Sequence, residues 1–103
     1  MVFWGNPSAP IVFGRLDRGC PKTLIIYGMY DVQPAEERNW IGLPFGAEVH
    51  TLPGLGECVI ARGAVNSKGA LYGLFNVLRT IKEEEEIPLN LIFTIEGEEE
   101  IGS

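Results

Sequence analysis

The chain has 103 residues, a mass of 11.3 kDa, a net charge of -6 and a hydrophobic content of 46%. This length allows one domain at most, and the hydrophobic content excludes a disordered chain. An acidic chain is a poor match for nucleic acid, and no apolar run approaches the roughly 18 residues of a membrane span. We therefore expect no nucleic-acid partner and no membrane partner.

Cysteine usage and the N-terminus indicate the cellular compartment. Cys20 and Cys58 lie far apart and form no CxxC pattern, which favours reduced thiols over a disulfide or a thiolate metal site. Met1 to Trp4 lack the basic and apolar segments of a secretory signal. The sequence therefore predicts a cytoplasmic protein.

The N-terminal third of the chain predicts two strands. Residues 1–9 are typical of irregular structure, and the segment from Pro10 to Leu16 predicts an edge strand, because proline is tolerated only at a strand start or an edge. Thr23 to Gly28, with the sequence TLIIYG, is a continuous apolar run. It predicts a strand that is buried on both faces.

The proline-rich stretch from residue 29 to 53 predicts a long loop, and such loops in compact domains are often functional. It contains a short candidate strand at 46–51. Cys58 to Ala64, CVIARGA, predicts a further strand, and Gly54 with Gly56 indicates a hairpin connection before it.

One apolar stripe at helical spacing predicts a helix from about Lys68 to Lys82, with Asn66 or Ser67 as its N-cap. Its members lie at i, i+3, i+4, i+7 and i+10, namely Leu71, Leu74, Phe75, Leu78 and Ile81. After Pro88, the run Leu89 to Ile95 predicts a buried strand.

The order strand, helix, strand from Cys58 to Ile95 predicts a βαβ unit. The expected fold class is therefore α/β, with a mixed, mostly parallel sheet and a flanking helix.

Polar clusters follow three of the predicted strands. They are Tyr30-Asp31, residues 62–68 and Glu96 to Glu100. Because the carboxyl ends of parallel strands meet at one edge of a sheet, the clusters are expected to converge, and adjacent carboxylates favour a divalent cation. Taken singly, each cluster is more often a solvated turn or ordinary surface charge, and only the coincidence of three makes a site an equal alternative.

Three segments carry a resemblance to a known family. YGMYDVQPAEERNWIGLPF, ARGAVNSKGAL and FTIEGEEEIGS resemble successive blocks of the dizinc aminoacyl hydrolases, which include acetylornithine deacetylase, succinyl-diaminopimelate desuccinylase and carnosinase-type dipeptidases. The resemblance implies that residues 1–103 are the N-terminal part of a zinc-exopeptidase-like catalytic domain. It also implies zinc as cofactor and a small peptide or an N-acyl amino acid as substrate.

The resemblance assigns roles to five positions. Asp31 matches the aspartate that orients a zinc-ligating histidine, but Met29 stands at the histidine position. Asn66 stands where the family has an aspartate that bridges both zinc ions. Glu99 matches the general base, and Glu100 matches a zinc ligand. A thioether and a neutral amide are weak zinc ligands, so the resemblance predicts that zinc binding is weak or absent.

Two functions stay open at this point. One is a fragment of a metallopeptidase or deacylase that is inactive alone, because the family's further carboxylate and histidine ligands are not among these residues. The other is a non-catalytic remnant or interaction module.

The apolar run Leu89 to Ile95 predicts an open sheet face and association, as a homo-oligomer or with a complementing chain. His50, the only histidine, lies outside the matching blocks, and we expect it to be an ordinary, partly exposed side chain.

Overall fold

A computed structural model describes residues 2–84 and 86–102. The expectations for Met1, Glu85 and Ser103 lie outside the described residues. Within them the helices are α1 and two short 3-10 helices at Glu37–Asn39 and Glu99–Ile101. The elements in chain order are β1 Val2–Trp4, β2 Ile11–Leu16, β3 Thr23–Met29, β4 Glu48–Leu52, β5 Gly56–Ile60, α1 Lys68–Glu84 and β6 Asn90–Glu96.

The main sheet has four strands in the order β1-β2-β6-β3. Strand β6 is central and apolar on both faces, and it pairs antiparallel with β2 and parallel with β3. The predicted α/β class with a mixed sheet is confirmed. The expected parallel majority is wrong, because two of the three pairings are antiparallel: β1 with β2, which a short connection joins, and β2 with β6.

The predicted βαβ unit from Cys58 to Ile95 is wrong. Strand β5 pairs with β4 in a separate two-stranded antiparallel sheet, through the hairpin connection that the glycines indicated. The parallel pair is β3 and β6, and both the hairpin and α1 lie in the crossover between them. Strand β5 meets its partner β4 after a short turn, so the pairing forms locally and β5 does not join the main sheet.

Two expectations about the N-terminal third are also wrong. Residues 2–4 form β1, which is held on β2 by stacking of Trp4 on Phe13 at 5.5 Å between ring centroids, so β2 is not an edge strand. Strand β3 lies at the edge instead, and its outer face is open. Ile25 is 67% exposed and Tyr27 is 57% exposed, which contradicts burial on both faces.

Helix α1 covers the other face of the sheet, as its apolar stripe predicts. Leu74 and Leu78 pack on the buried residues Ile26 and Leu91, and the latter is only 2% exposed. Phe75 meets Phe93 with 5.7 Å between ring centroids. The core is therefore a single layer between one helix and one sheet face.

The chain is unusually open, with one sheet face uncovered and the β4–β5 hairpin apart from the main sheet. Its accessible surface is 7494 Å², whereas about 5700 Å² is typical of a compact monomer of this mass. Its radius of gyration is 16.7 Å, against about 13 Å for a compact chain of this length. The prediction of an open face is confirmed. Among the described residues, no helix has the length and apolarity that crossing a membrane requires.

Candidate functional site

Three loops meet at the carboxyl ends of β3 and β6. Tyr30 and Asp31 follow β3, residues 97–100 follow β6, and residues 61–67 lead into α1. Because β3 and β6 are parallel and adjacent, their ends bring the first two loops together. We call the group formed by Asp31, Asn66 and Glu100 the strand-end cluster.

Glu100 is the centre of the strand-end cluster. Its backbone N–H donates to Asp31 Oδ2 at 2.9 Å, and its side-chain Oε1 accepts from Asn66 Nδ2 at 3.2 Å. Its carbonyl oxygen accepts from Gln33 Nε2. Hydrogen bonds from Glu100 therefore join all three loops.

Asp31 is half-buried and has one oxygen to spare. Oδ2 is occupied by the Glu100 N–H, whereas Oδ1 is buried without a hydrogen-bond partner among the described residues. A buried carboxylate oxygen without a partner costs free energy, so it is a place where a donor or a cation would be stabilising.

A second set of contacts fixes the loop after β3. Tyr30 N–H donates to Glu96 carbonyl oxygen at 2.9 Å, and Lys68 Nζ donates to Tyr30 carbonyl oxygen at 2.6 Å. The Tyr30 hydroxyl reaches Pro10 carbonyl oxygen at 2.8 Å, and its ring lies where a side chain at Gly97 would overlap it. Gly97 is therefore needed for the close approach of the ring to the end of β6.

Arg62 supplies a positive charge beside the cluster. Its guanidinium carbon lies 4.9 Å from the centroid of the Trp40 ring, and its backbone N–H donates to Pro44 carbonyl oxygen at 2.6 Å. Its Nε is buried without a hydrogen-bond partner among the described residues. A cavity of about 140 Å³ is lined by Arg62, Asn66, Glu100 and their neighbours Val32, Gln33 and Gly63.

The other residues considered for the site lie outside the strand-end cluster. Glu99 is half-buried in the 3-10 helix that follows β6, and its side chain makes no hydrogen bond within the described residues. Met29 ends β3 and shares with Asn66 the lining of a second cavity of about 250 Å³. His50 lies on β4 and contacts Glu48 at 3.0 Å, as an ordinary half-buried side chain.

The expected N-cap is not seen. Neither Asn66 nor Ser67 makes a side-chain hydrogen bond to the first turn of α1 in the part of the chain that the structure describes. Asn66 is directed at Glu100, and the buried Ser67 hydroxyl has no partner there. Ser67 also has a left-handed φ of 73°, which turns the chain into the helix.

Tyr27 has a perturbed pKa next to the cluster. Its hydroxyl donates to Glu96 Oε2 at 2.8 Å, and this hydrogen bond raises the pKa of Tyr27 from 10.0 to about 12. Because the pKa is raised in the folded state, the stabilisation is fully present below pH 10 and is lost as the pH rises through about 12.

The residues do not fit a pair of zinc ions. Residues 2–84 and 86–102 contain no group of three His, Cys, Asp or Glu side chains that could hold a metal ion. A stable zinc site uses three or four such ligands. The cluster offers two carboxylates, and the amide of Asn66 presents its N–H to one of them.

Several of these contacts could not be inferred from residue types. Gln33, Lys68 and Arg62 join the site through the backbone and by stacking, and no spacing rule points to such contacts. The available signals were that Gln33 follows Asp31 by two residues in one matching block and that Arg62 and Lys68 bound the polar cluster in another.

Comparisons with known proteins agree with this geometry. Residues 25–103 match peptidase family M20/M25/M40. The Cys-Gly metallodipeptidase DUG1 of Candida albicans is 38% identical over 97 residues, which cover 91% of this chain and 19% of that protein. The Beta-Ala-His dipeptidase of Rattus norvegicus is 33% identical over 100 residues, which cover 94% of this chain and 19% of that protein.

Two solved structures have the same fold over most of this chain. The M20 family metallo-carboxypeptidase Sso-CP2 from Sulfolobus solfataricus superposes with a TM-score of 0.77 and 36% identity, over 91% of this chain and 21% of that one. The di-peptidase Dug1p from Saccharomyces cerevisiae gives 0.72 and 32%, over 98% and 22%.

Over the matched part, the mixed sheet of this chain is the fold seen in these two metallopeptidases. The chain belongs to peptidase family M20/M25/M40. The resemblance to the dizinc aminoacyl hydrolases is thereby confirmed. The chain spans about a fifth of the length of the curated relatives that it matches.

Proposed function

We propose that this chain is the N-terminal part of a catalytic domain directed at dipeptides or N-acyl amino acids, and that it is catalytically silent in its present sequence. The observation that carries the proposal is the strand-end cluster, in which Asp31 and Glu100 are bonded to each other across 69 residues of chain. Matched relatives are named as dipeptidases, which supports dipeptides as the substrate class.

The proposed roles follow the matching blocks. Glu99 is the general base by its place in the matching block, and its side chain makes no hydrogen bond within the described residues that would tie it up. Glu100 occupies a metal-ligand position. Asp31 is a positioning residue that holds the backbone of Glu100.

The expected lack of activity follows from the side chains at the metal-ligand positions. Met29 offers a thioether and Asn66 an amide at two positions where the family uses an imidazole and a carboxylate. Without those ligands, zinc is not held by this chain alone.

A chimera tests the proposal. The segment of Saccharomyces cerevisiae Dug1p that matches this chain is replaced by this chain, and hydrolysis of Cys-Gly is measured with zinc present. The unaltered chimera is expected to fold and to be inactive. Met29→His with Asn66→Asp is expected to raise the rate by at least about a hundredfold, and adding Glu99→Gln is expected to lower it again by about 10²–10⁴.

The controls separate folding from chemistry. Each chimera is checked for a folded circular dichroism spectrum and for zinc content, and Glu57→Gln on the distant β5 serves as the matched charge control. A folded, zinc-loaded double variant that does not hydrolyse Cys-Gly would contradict the assigned positions.

The open sheet face favours a second candidate, a non-catalytic interaction module. Large apolar side chains are exposed there, among them Trp4 at 59%, Ile25 at 67% and Tyr27 at 57%. Surfaces of this kind on soluble chains mark interfaces, and the occupant here would be a complementing chain or a second copy. The chimera distinguishes the two candidates. The interaction module predicts a double variant that assembles stably and is inactive.

We also propose a cytoplasmic location. Cys20 and Cys58 are free and half-buried, and they do not pair with each other. Reduced, unpaired thiols are typical of cytosolic proteins.

A further inference from the structure

We infer that the hydrogen bond from Asn66 to Glu100 takes the place of a bound cation in holding the strand-end cluster together. The site is then a metal-independent polar lock between three loops. This inference concerns how the site is held, and it does not depend on the substrate or on activity.

The orientation of the Asn66 amide is dictated by chemistry. Asn66 Nδ2 lies 3.2 Å from Glu100 Oε1, and an ionised carboxylate can only accept hydrogen bonds. The amide must therefore present its nitrogen, with two positively polarised hydrogens, to the carboxylate. To ligate a cation, the amide would have to rotate and give up this hydrogen bond to Glu100.

Charge balance favours the same conclusion. Asp31 and Glu100 already place two carboxylates at the strand ends, and the Glu100 N–H is bonded to Asp31. A third carboxylate at residue 66 would repel both of them unless a cation were bound between the three. The neutral amide of Asn66 removes this repulsion and supplies a donor as well.

The lock closes the site through residues that are distant in sequence. Asn66 and Glu100 are 34 residues apart, and Asp31 and Glu100 are 69 residues apart. Lys68, next to the same loop, donates to the carbonyl oxygen of Tyr30, the neighbour of Asp31. These hydrogen bonds connect the three loops directly, without a bridging ion.

Three variants of the 103-residue chain test the lock by thermal melting, each in EDTA and in zinc chloride. The unaltered chain is expected to melt at the same temperature in both. Asn66→Asp is expected to melt about 4–8 °C lower in EDTA and to recover in zinc. Asn66→Leu, which removes the donor without adding charge, is expected to melt lower in both media.

The matched control is Asn39→Asp. Asn39 Nδ2 also contacts a carboxylate, Glu36 Oε2 at 3.4 Å, and is exposed like Asn66, but it lies away from the cluster. This variant adds the same charge and is expected to show no response to zinc. Aspartate and asparagine are equally good near a helix N-terminus, so α1 itself does not bias the comparison.

The outcomes divide cleanly. The lock is supported if zinc restores the melting temperature of Asn66→Asp, or if Asn66→Asp folds only when zinc is present. A rise in the melting temperature of the unaltered chain with zinc overturns it, and so does an Asn66→Leu variant as stable as the unaltered chain. An equal zinc response of Asn66→Asp and Asn39→Asp also overturns it, because the response would then be unspecific.

Discussion

Gly69→Ala is expected to destabilise the chain by about 3 kcal/mol, although alanine is the better helix former. Gly69 lies in the first turn of α1, and a Cβ there would overlap the backbone carbonyl oxygen of Ala64. No side-chain rotation can relieve a clash with backbone. The loop 61–67 would have to move away from the helix, and Asn66 would move with it.

The same helix provides a matched control one turn later. A Cβ at Gly73 would meet nothing within 4 Å, so Gly73→Ala is expected to stabilise the chain by about 0.5–1 kcal/mol through helix propensity alone. Urea unfolding followed by circular dichroism measures both changes. Equal effects of the two substitutions would show that the helix does not begin against Ala64.

Leu91→Ala is expected to cost about 3–5 kcal/mol, the largest loss from a single core side chain. Leu91 lies in the central strand and is only 2% exposed. It packs in one cluster with Ile26 and Ile87, against which Leu74 and Leu78 of α1 also lie. Truncation would leave a cavity where the helix, the sheet and the segment before β6 meet.

Ile25→Ala is the control for this prediction. Ile25 lies on the uncovered face of β3 and is 67% exposed, so its truncation is expected to cost less than about 1 kcal/mol. The same urea titrations compare the two variants. A small effect of Leu91→Ala would place the core on the other face of the sheet.

Local patterns predicted most elements correctly because they depend on neighbours in sequence. The apolar stripe from Leu71 to Ile81 defined α1, and the continuous apolar runs defined β3 and β6. Pairing could not be read in the same way. A run of five residues such as β5 is compatible with a main-sheet strand or a hairpin strand, and only the partner β4 decides between them.

The convergence at the strand ends was predictable to a similar degree. Parallel strands bring their carboxyl ends together, so the meeting of Asp31 with Glu100 follows from the pairing of β3 with β6. The position of the loop containing Asn66 does not follow from strand pairing, because the preceding strand β5 is not part of the main sheet. The bonds from Gln33 and Lys68 to backbone carbonyls depend on side-chain conformation, which residue type alone does not fix.

Zinc calorimetry is the most direct test of the central claim, that this member of the M20 family closes its strand-end cluster by hydrogen bonds instead of metal. Zinc chloride is titrated into the purified 103-residue chain, and Met29→His with Asn66→Asp serves as the comparison. The unaltered chain is expected to bind zinc with a dissociation constant weaker than about 10 μM, because it offers fewer than three good ligands. The double variant is expected to bind at least about tenfold more tightly. Submicromolar binding of zinc by the unaltered chain would contradict the account.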